Sequence, residues 1–129
     1  MIGLVIVTHG RLAAEYVSVM EHIVGSNLGV IPVSISPTDK LLSKEREIIR
    51  AINIADKGFG VLVVTDMHGS TPANIALKAS RGRVGQVLFG VNLPMLIKLA
   101  KVRHIPIEKA AEMAVKAGRK YIDFITIRD

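Results

Sequence analysis

The sequence predicts an α/β fold in which a mainly parallel sheet lies between two layers of helices. Short apolar runs, typical of strands covered on both faces, alternate with longer segments of helical spacing along nearly the whole chain. Strands that alternate with helices are joined by right-handed crossovers, which make neighbouring strands parallel. We expect a single domain over residues 1–129 with strand order 2-1-3-4.

The N-terminal part of the chain predicts a strand, a helix and a second strand. Residues 2–7 are a continuous apolar run, as in a strand with both faces covered. Apolar residues recur at helical spacing over residues 12–24, and Gly25 follows as a stop signal. Residues 30–35 predict the second strand, which we place at a sheet edge because Pro32 cannot donate a ladder hydrogen bond.

The middle of the chain predicts a second helix, a third strand and a third helix. A turn at residues 36–39 offers capping side chains, and one apolar stripe then continues as far as Ala55. Residues 61–64 are again continuously apolar and, with Thr65, predict the third strand. The following loop leads into a helix with Thr71 as its N-cap and Pro72 at its first position, where a missing N–H costs nothing.

The remaining residues predict a fourth strand, two helices and a terminal strand. The fourth strand covers residues 87–89, and helices follow over residues 94–102 and 105–118. Residues 121–127 alternate in a β pattern with both faces largely apolar. Too few residues precede this segment for another crossover helix, so we expect it to pair antiparallel at a sheet edge.

The composition excludes several classes of protein. Half of the residues are apolar, and Gly and Pro are too few for a disordered chain. Cysteine is absent, which rules out a disulfide scaffold, thiol catalysis and a thiolate zinc site. No apolar stretch approaches the roughly 18 residues of a membrane span, and the first apolar run lacks the flanks of a secretory signal. We expect a cytoplasmic protein that does not insert into a membrane.

The net charge of +6 comes from the second half of the chain. Residues 1–60 carry six basic and six acidic residues, whereas residues 61–129 carry eleven basic and five acidic ones. A basic half can indicate nucleic-acid binding, but these residues are dispersed, without aromatic stacking platforms between them. We interpret the excess as a solvated basic face and expect no nucleic-acid partner.

Polar residues end the first and third predicted strands, at the edge where ligands gather in sheets of this kind. His9 follows the first strand, and Asp66 follows the third. If these strands are neighbours, the two side chains flank one crevice. A carboxylate that accepts one imidazole N–H leaves the other ring nitrogen free to attack, and it stabilises the imidazolium that forms.

Three further residues suit an anion beside this pair. Gly10 allows close approach of the backbone, and Ser70 and Thr71 add hydroxyl donors near the N-terminus of a helix. The set therefore predicts a phosphohistidine site. No nucleotide-binding motif is present, so we expect no bound cofactor, and a phosphoryl group has to come from a partner.

Other interpretations of the same residues stay open. A histidine at a strand end is often only a satisfied polar group, and Asp66 can serve only as a loop or cap residue. His9, His68 and Asp66 also form a possible set of metal ligands, although no short-spaced ligand pair supports a metal site.

At these residues the sequence resembles the IIA component of mannose-type sugar phosphotransferase systems. Three blocks at strand ends carry the likeness, which covers nearly the whole chain: residues 8–10, 65–74 and 90–96. The resemblance implies that His9 accepts a phosphoryl group from the phosphocarrier protein HPr and passes it to a IIB component. It also implies that Asp66 supports the histidine, with Thr71 beside the phosphate, and that a homodimer exchanges the terminal strands.

The second block departs from the family pattern. The family has an aromatic residue followed by two glycines where this chain has His68, Gly69 and Ser70. We expect Met67 and His68 to lie on the docking surface, so that His68 alters recognition of the partner. Ser70 in place of glycine narrows the backbone freedom of the loop.

The sequence thus predicts a phosphotransferase that relays phosphate through a phosphohistidine on His9. Two alternatives remain at this stage. One is a regulatory binding module whose phosphorylation state changes its affinity for a partner without sugar transport. The other is the phosphotransfer subunit of a dihydroxyacetone kinase.

Overall fold

Four parallel strands form the central sheet in the computed structural model, which describes residues 1–83 and 85–129. The strands are β1 (Gly3–His9), β2 (Ile31–Ile35), β3 (Val61–Thr65) and β4 (Gly85–Leu88). Their order is β2-β1-β3-β4, and all three neighbouring pairs are parallel. The predicted parallel sheet and its strand order are confirmed, and Pro32 lies on an edge strand as expected.

Helices cover both faces of this sheet. They are α1 (Leu12–Val24), α2 (Leu41–Ala55), α3 (Thr71–Ser80), α4 (Leu93–Lys101) and α5 (Ile107–Lys120). Alternate residues of β1 face the two layers: Leu4 and Ile6 pack with α1, α4 and α5, whereas Val5 and Val7 pack with α2 and α3. Two buried faces explain why the strand is continuously apolar. Within the described residues, no helix is long and apolar enough to cross a membrane.

The register of the strands brings two chain segments to the same edge of the sheet. Thr65, the last residue of β3, lies opposite Val7, and β1 continues two residues further to His9. On the other side of β1, Ile35 of β2 lies opposite His9. The chain therefore leaves β3 through Asp66 beside the end of β1.

The C-terminal part of the chain differs from the prediction. Helix α5 continues through Gly118 to Lys120. A Cβ at Gly118 would lie 3.3 Å from Asn92 Oδ1 and from Met95 Cβ, so this glycine permits close packing of α5 on α4 and does not end the helix. Residues 122–129 are exposed and belong to no strand of the described chain, so the terminal strand is not confirmed.

A glycine in β1 allows the close contact between the sheet and the end of α2. A Cβ at Gly3 would clash with the carbonyl oxygen of Ala55, which is backbone and cannot move aside easily.

We expect Gly3→Ala to lower the free energy of unfolding by about 1–3 kcal/mol, because it overpacks a filled site. Urea denaturation followed by circular dichroism measures the change, with Ser43→Ala on the exposed surface of α2 as the control. Equal stability of the two variants would show that the backbone relaxes without cost.

Candidate functional site

The side chains of His9 and Asp66 meet at the carboxyl edge of the sheet. His9 Nδ1 lies 2.7 Å from Asp66 Oδ2, and the His9 backbone N–H donates to the same oxygen at 2.9 Å. Because an ionised carboxylate only accepts hydrogen bonds, Nδ1 carries a proton, and in the neutral form of the ring the lone pair lies on Nε2. The structure thus brings together the two residues that the sequence predicted to share a crevice.

The two side chains differ in their exposure. The His9 side chain is 52% exposed, whereas that of Asp66 is 14% exposed. The imidazole is therefore within reach of another molecule, while the carboxylate lies behind it. An exposed ring with one nitrogen anchored and the other free is suited to accept an electrophile.

Asp66 is held in its ionised form by its neighbours. Burial opposes the negative charge, but hydrogen bonds from the backbone N–H and ring of His9 and from the Met67 N–H outweigh this effect and lower the pKa of Asp66. The Met67 N–H donates to Oδ1 at 2.9 Å, so both carboxylate oxygens have partners. Asp66 therefore carries its charge throughout the neutral range of pH.

Two buried threonines fix the ends of the strands that carry this pair. Thr8 Oγ1 accepts a hydrogen bond of 2.7 Å from the Ala13 N–H, which ties β1 to the first turn of α1. Thr65 Oγ1 donates to the Leu88 carbonyl oxygen at 3.2 Å and ties β3 to β4. Sequence reasoning gave neither residue a role, although each directly precedes a predicted site residue in an otherwise apolar strand.

Gly10 gives the chain its sharp exit from β1. Its φ of 51° lies in the left-handed region, which favours glycine. Its N–H donates to the Ile35 carbonyl oxygen at 2.9 Å, so this group is already engaged. What Gly10 offers an anion is the open space left by its missing side chain, since a Cβ there would meet no atom within 4 Å. Its predicted role in phosphate binding stays a prediction.

Ser70, not Thr71, is the N-cap of α3. The Ser70 hydroxyl accepts from the Ala73 N–H at 3.5 Å and donates to the Met67 carbonyl oxygen at 2.6 Å. The predicted N-cap is wrong because Pro72 occupies the second helical position, where it is tolerated as well as at the first. Thr71 is exposed at the first helical position, and its role beside a phosphate stays a prediction.

Met67 and His68, the predicted docking residues, lie on the surface between β3 and α3. Met67 is 61% exposed. The His68 ring stacks on that of Phe89, with ring centroids 4.0 Å apart and planes 13° from parallel. Because Phe89 directly follows the edge strand β4, His68 is turned toward the β4 edge of the sheet. Among residues 1–83 and 85–129, no group of three or more His, Asp or Glu side chains is placed to hold a metal ion.

Residues 3–119 match a family model described as the PTS system fructose IIA component, EIIA-man, where PTS denotes the phosphotransferase system. The chain belongs to this family. It is a IIA component of the mannose type, a class of phosphotransferases that serve sugar transport. The comparison with curated proteins found no match.

Solved structures of IIA proteins share the fold of this EIIA-man chain over nearly its whole length. The mannose/sorbose-specific IIA subunit from Enterococcus faecalis is 26% identical with a TM-score of 0.87, and the match covers 99% of this chain and 97% of that one. The phosphotransferase system component EIIA from Streptococcus agalactiae is 23% identical with a TM-score of 0.86, covering 96% and 97%. The predicted family resemblance is confirmed.

The charge of Asp66 predicts a pH-dependent contribution to stability. Its pKa is lower in the folded protein than the value of about 3.9 in an unfolded chain, so its stabilisation is fully present above about pH 4 and is lost as pH falls through the folded pKa. We expect Asp66→Asn to lower the free energy of unfolding at pH 7 by about 1–3 kcal/mol.

Urea denaturation at pH 7, 5 and 3 checks this expectation. The difference in free energy of unfolding between the original protein and Asp66→Asn should be smallest at pH 3. Glu15→Gln is the control, because Glu15 forms an exposed ion pair of 3.8 Å with Arg11 that contributes little. A deficit of Asp66→Asn that is the same at all three pH values would mean that the carboxylate charge does not stabilise the fold.

Proposed function

We propose that this IIA protein relays a phosphoryl group from HPr to a IIB component through a phosphohistidine on His9. One observation carries the proposal: His9 Nδ1 is bound to Asp66 Oδ2 at 2.7 Å, which leaves Nε2 as the free nucleophile on a half-exposed ring. The name of the similar Enterococcus faecalis structure, a mannose/sorbose-specific IIA subunit, supports the same class of activity.

The transfer needs no reactant besides His9 and phosphorylated HPr. The Nε2 lone pair attacks the phosphorus of phosphorylated HPr in line, a new N–P bond forms, and the N–P bond of the donor breaks. The proton on Nδ1 stays in place, so the His9 ring becomes a phosphorylated imidazolium whose positive charge faces the Asp66 carboxylate. Such transfers depend on positioning and electrostatic support, which the carboxylate supplies. A nucleophile on the IIB component then takes the phosphoryl group by the same displacement, and His9 returns to its neutral form.

The surroundings of His9 suit a phosphoryl group that arrives on another protein. His9 lines neither of the two large grooves found among the described residues. Enzymes that act on free small molecules usually enclose them in a pocket. An open histidine at a sheet edge instead permits close contact with a protein surface, and the exposed side chains of Leu12 and Met67 provide apolar area near it. Thr71 supplies a hydroxyl to the transferred phosphate, with Ser70 as the cap that holds the helix behind it.

We place this relay in the cytoplasm and propose that it works as a homodimer. The apolar side chains of the C-terminal segment are exposed: Ile122, Phe124, Ile125 and Ile127 are 73–85% accessible. No strand among residues 1–83 and 85–129 pairs with the outer edge of β4, and an unpaired strand edge readily accepts another strand. A groove lined by β4 and α5 runs along this edge. We propose that residues 122–127 of each copy pair antiparallel with β4 of the other.

The first test of the relay is phosphorylation by enzyme I, HPr and phosphoenolpyruvate. We expect an acid-labile, base-stable phosphate on Nε2 of His9, located by mass spectrometry and ¹⁵N NMR. His9→Ala should carry none, and His22→Ala, which removes an exposed histidine of α1, should be phosphorylated normally. Asp66→Asn should react about 10–150-fold more slowly, because a charge-assisted hydrogen bond is lost from the transition state.

Two results would overturn this assignment. Full phosphorylation of His9→Ala, or phosphate found on His68, would move the site elsewhere. A normal rate in Asp66→Asn would show that the carboxylate has no part in the transfer.

The second test concerns the C-terminal segment. Truncation after Lys120 should convert the dimer into a monomer in sedimentation equilibrium, because the exchanged strand is removed. Truncation after Ile127 is the matched control, since it keeps every residue of the proposed strand. A dimer of unchanged affinity after truncation at Lys120 excludes the segment from the interface, and a full-length protein that is monomeric at micromolar concentration excludes the dimer itself.

A further inference from the structure

A second surface feature lies outside the site of His9 and Asp66. Helices α4 and α5 enclose a groove with a volume of about 650 Å³, which we call the basic groove. Its floor is apolar and is formed by Leu93, Pro94, Ile97, Met113, Ala117 and Tyr121.

Four lysines form the rim of the basic groove. Lys98 and Lys101 lie on α4, and Lys116 and Lys120 lie on α5. No acidic side chain lines the groove, and in the described part of the chain no carboxylate lies within 4.0 Å of these four ammonium groups. Like charges that face one another without counter-charges repel, so the rim favours an occupant that carries negative charge.

The acidic side chains of α5 lie outside the basic groove. Glu108 and Glu112 line the other groove, between α5 and β4. Helix α5 thus presents carboxylates to that groove only, while Lys116 and Lys120 border both grooves. The Lys120 ammonium group also lies 5.4 Å from the centroid of the Tyr121 ring, which holds one positive charge at the end of the groove.

The two walls of the basic groove are joined at one end. The Asn92 side chain caps α4 by accepting from the Met95 N–H at 3.1 Å, and it donates to the Gly118 carbonyl oxygen of α5 at 2.8 Å. The start of α4 therefore lies beside the end of α5, so the helices run antiparallel. A groove with fixed walls offers an occupant a preformed site.

We propose that the basic groove binds an acidic amphipathic segment of a partner protein, with apolar side chains on the floor and carboxylates between the lysines. Helix α4 has nine residues and spans about 13 Å, which is enough for two to three turns of a bound helix. This binding goes beyond the phosphoryl relay, because it uses none of the residues that hold His9.

The shape of the groove favours a protein segment over the other anionic surfaces. Leu93, Ile97 and Met113 are half-buried between the helices, so they cannot reach into a bilayer, whereas membrane-bound helices turn their apolar side chains outward. A nucleic acid would use the lysines but would leave the aliphatic floor uncovered. A segment that inserts apolar side chains and carries acidic ones satisfies both parts of the surface.

A synthetic probe tests this proposal on the full-length protein. The probe is a fluorescent helical peptide of 14 residues with leucines along one face and glutamates on the flanks, and its binding is measured by fluorescence anisotropy. Two control peptides have the same length: one has the leucines scrambled around the helix, and one has lysine in place of every glutamate. We expect only the acidic amphipathic peptide to bind, more weakly at high salt because the exposed charges are then screened.

Variants on α4 identify the surface without altering the residues shared with the other groove. We expect Lys98→Glu combined with Lys101→Glu to weaken binding about tenfold or more, since it reverses half of the rim charge. Lys40→Glu combined with Lys57→Glu changes the net charge equally at exposed positions beside α2, and it should alter affinity less than about twofold. Ile97→Asp should also abolish binding, with circular dichroism and His9 phosphorylation confirming that the variant is folded.

The remaining outcomes contradict the proposal. If the scrambled peptide binds equally well, or if both double variants lose the same amount of affinity, the peptide is bound by general charge attraction and not by the groove. Binding of phosphatidylglycerol vesicles or of a single-stranded oligonucleotide through Lys98 and Lys101, without binding of the acidic peptide, would assign the groove to a different occupant. Phosphorylation of His9 should be unchanged in the Lys98→Glu, Lys101→Glu variant, so failure here is distinguishable from failure of the relay.

Discussion

The parallel pairing of β1 with β3 is the constraint on which the site depends. With Val7 opposite Thr65, the last residue of β1 extends past the end of β3, and the first residue after β3 lies beside it. Successive side chains of a strand point to opposite faces, so a slip of one residue would turn His9 to the other face and separate it from Asp66. The core favours this register through the fit of its side chains: a slip of β1 by one residue would bring Leu4 and Ile6 to the layer of α2 and α3, and Val5 and Val7 to the layer of α1, α4 and α5.

Local hydrogen bonds then convert this register into a site with one free nitrogen. Asp66 Oδ2 accepts both the backbone N–H and the ring N–H of His9, so the carboxylate fixes the position and the tautomer together. Its other oxygen accepts the Met67 N–H, and Ser70 in turn holds the Met67 carbonyl oxygen while capping α3. The loop after β3 is thus held by hydrogen bonds of Asp66, Met67 and Ser70, and the bond to the His9 ring uses Nδ1.

Periodicity and strand-end polarity predicted most of this architecture, since they depend on local sequence. Helix α1 and strand β3 have the predicted bounds, and His9 and Asp66 meet as expected. The features that sequence reasoning missed depend on tertiary packing or on a choice between two equivalent local patterns. Gly118 resembles a helix stop but is required by the contact with Asn92, and either Ser70 or Thr71 is compatible with a following proline. The stacking of His68 on a residue after β4 has no sequence signal at all.

Helix α5 links features that are far apart in the sequence. It covers β4, packs on α4 through Gly118, and ends in the segment that begins at Tyr121. Lys116 and Lys120 border both grooves, so one row of side chains separates the edge of the sheet from the basic groove. His9 lines neither groove, whereas His68, two residues after Asp66, lines the groove beside β4. Helix α5 thus forms a wall of both grooves, while the ends of β1 and β3 hold His9 and Asp66 together.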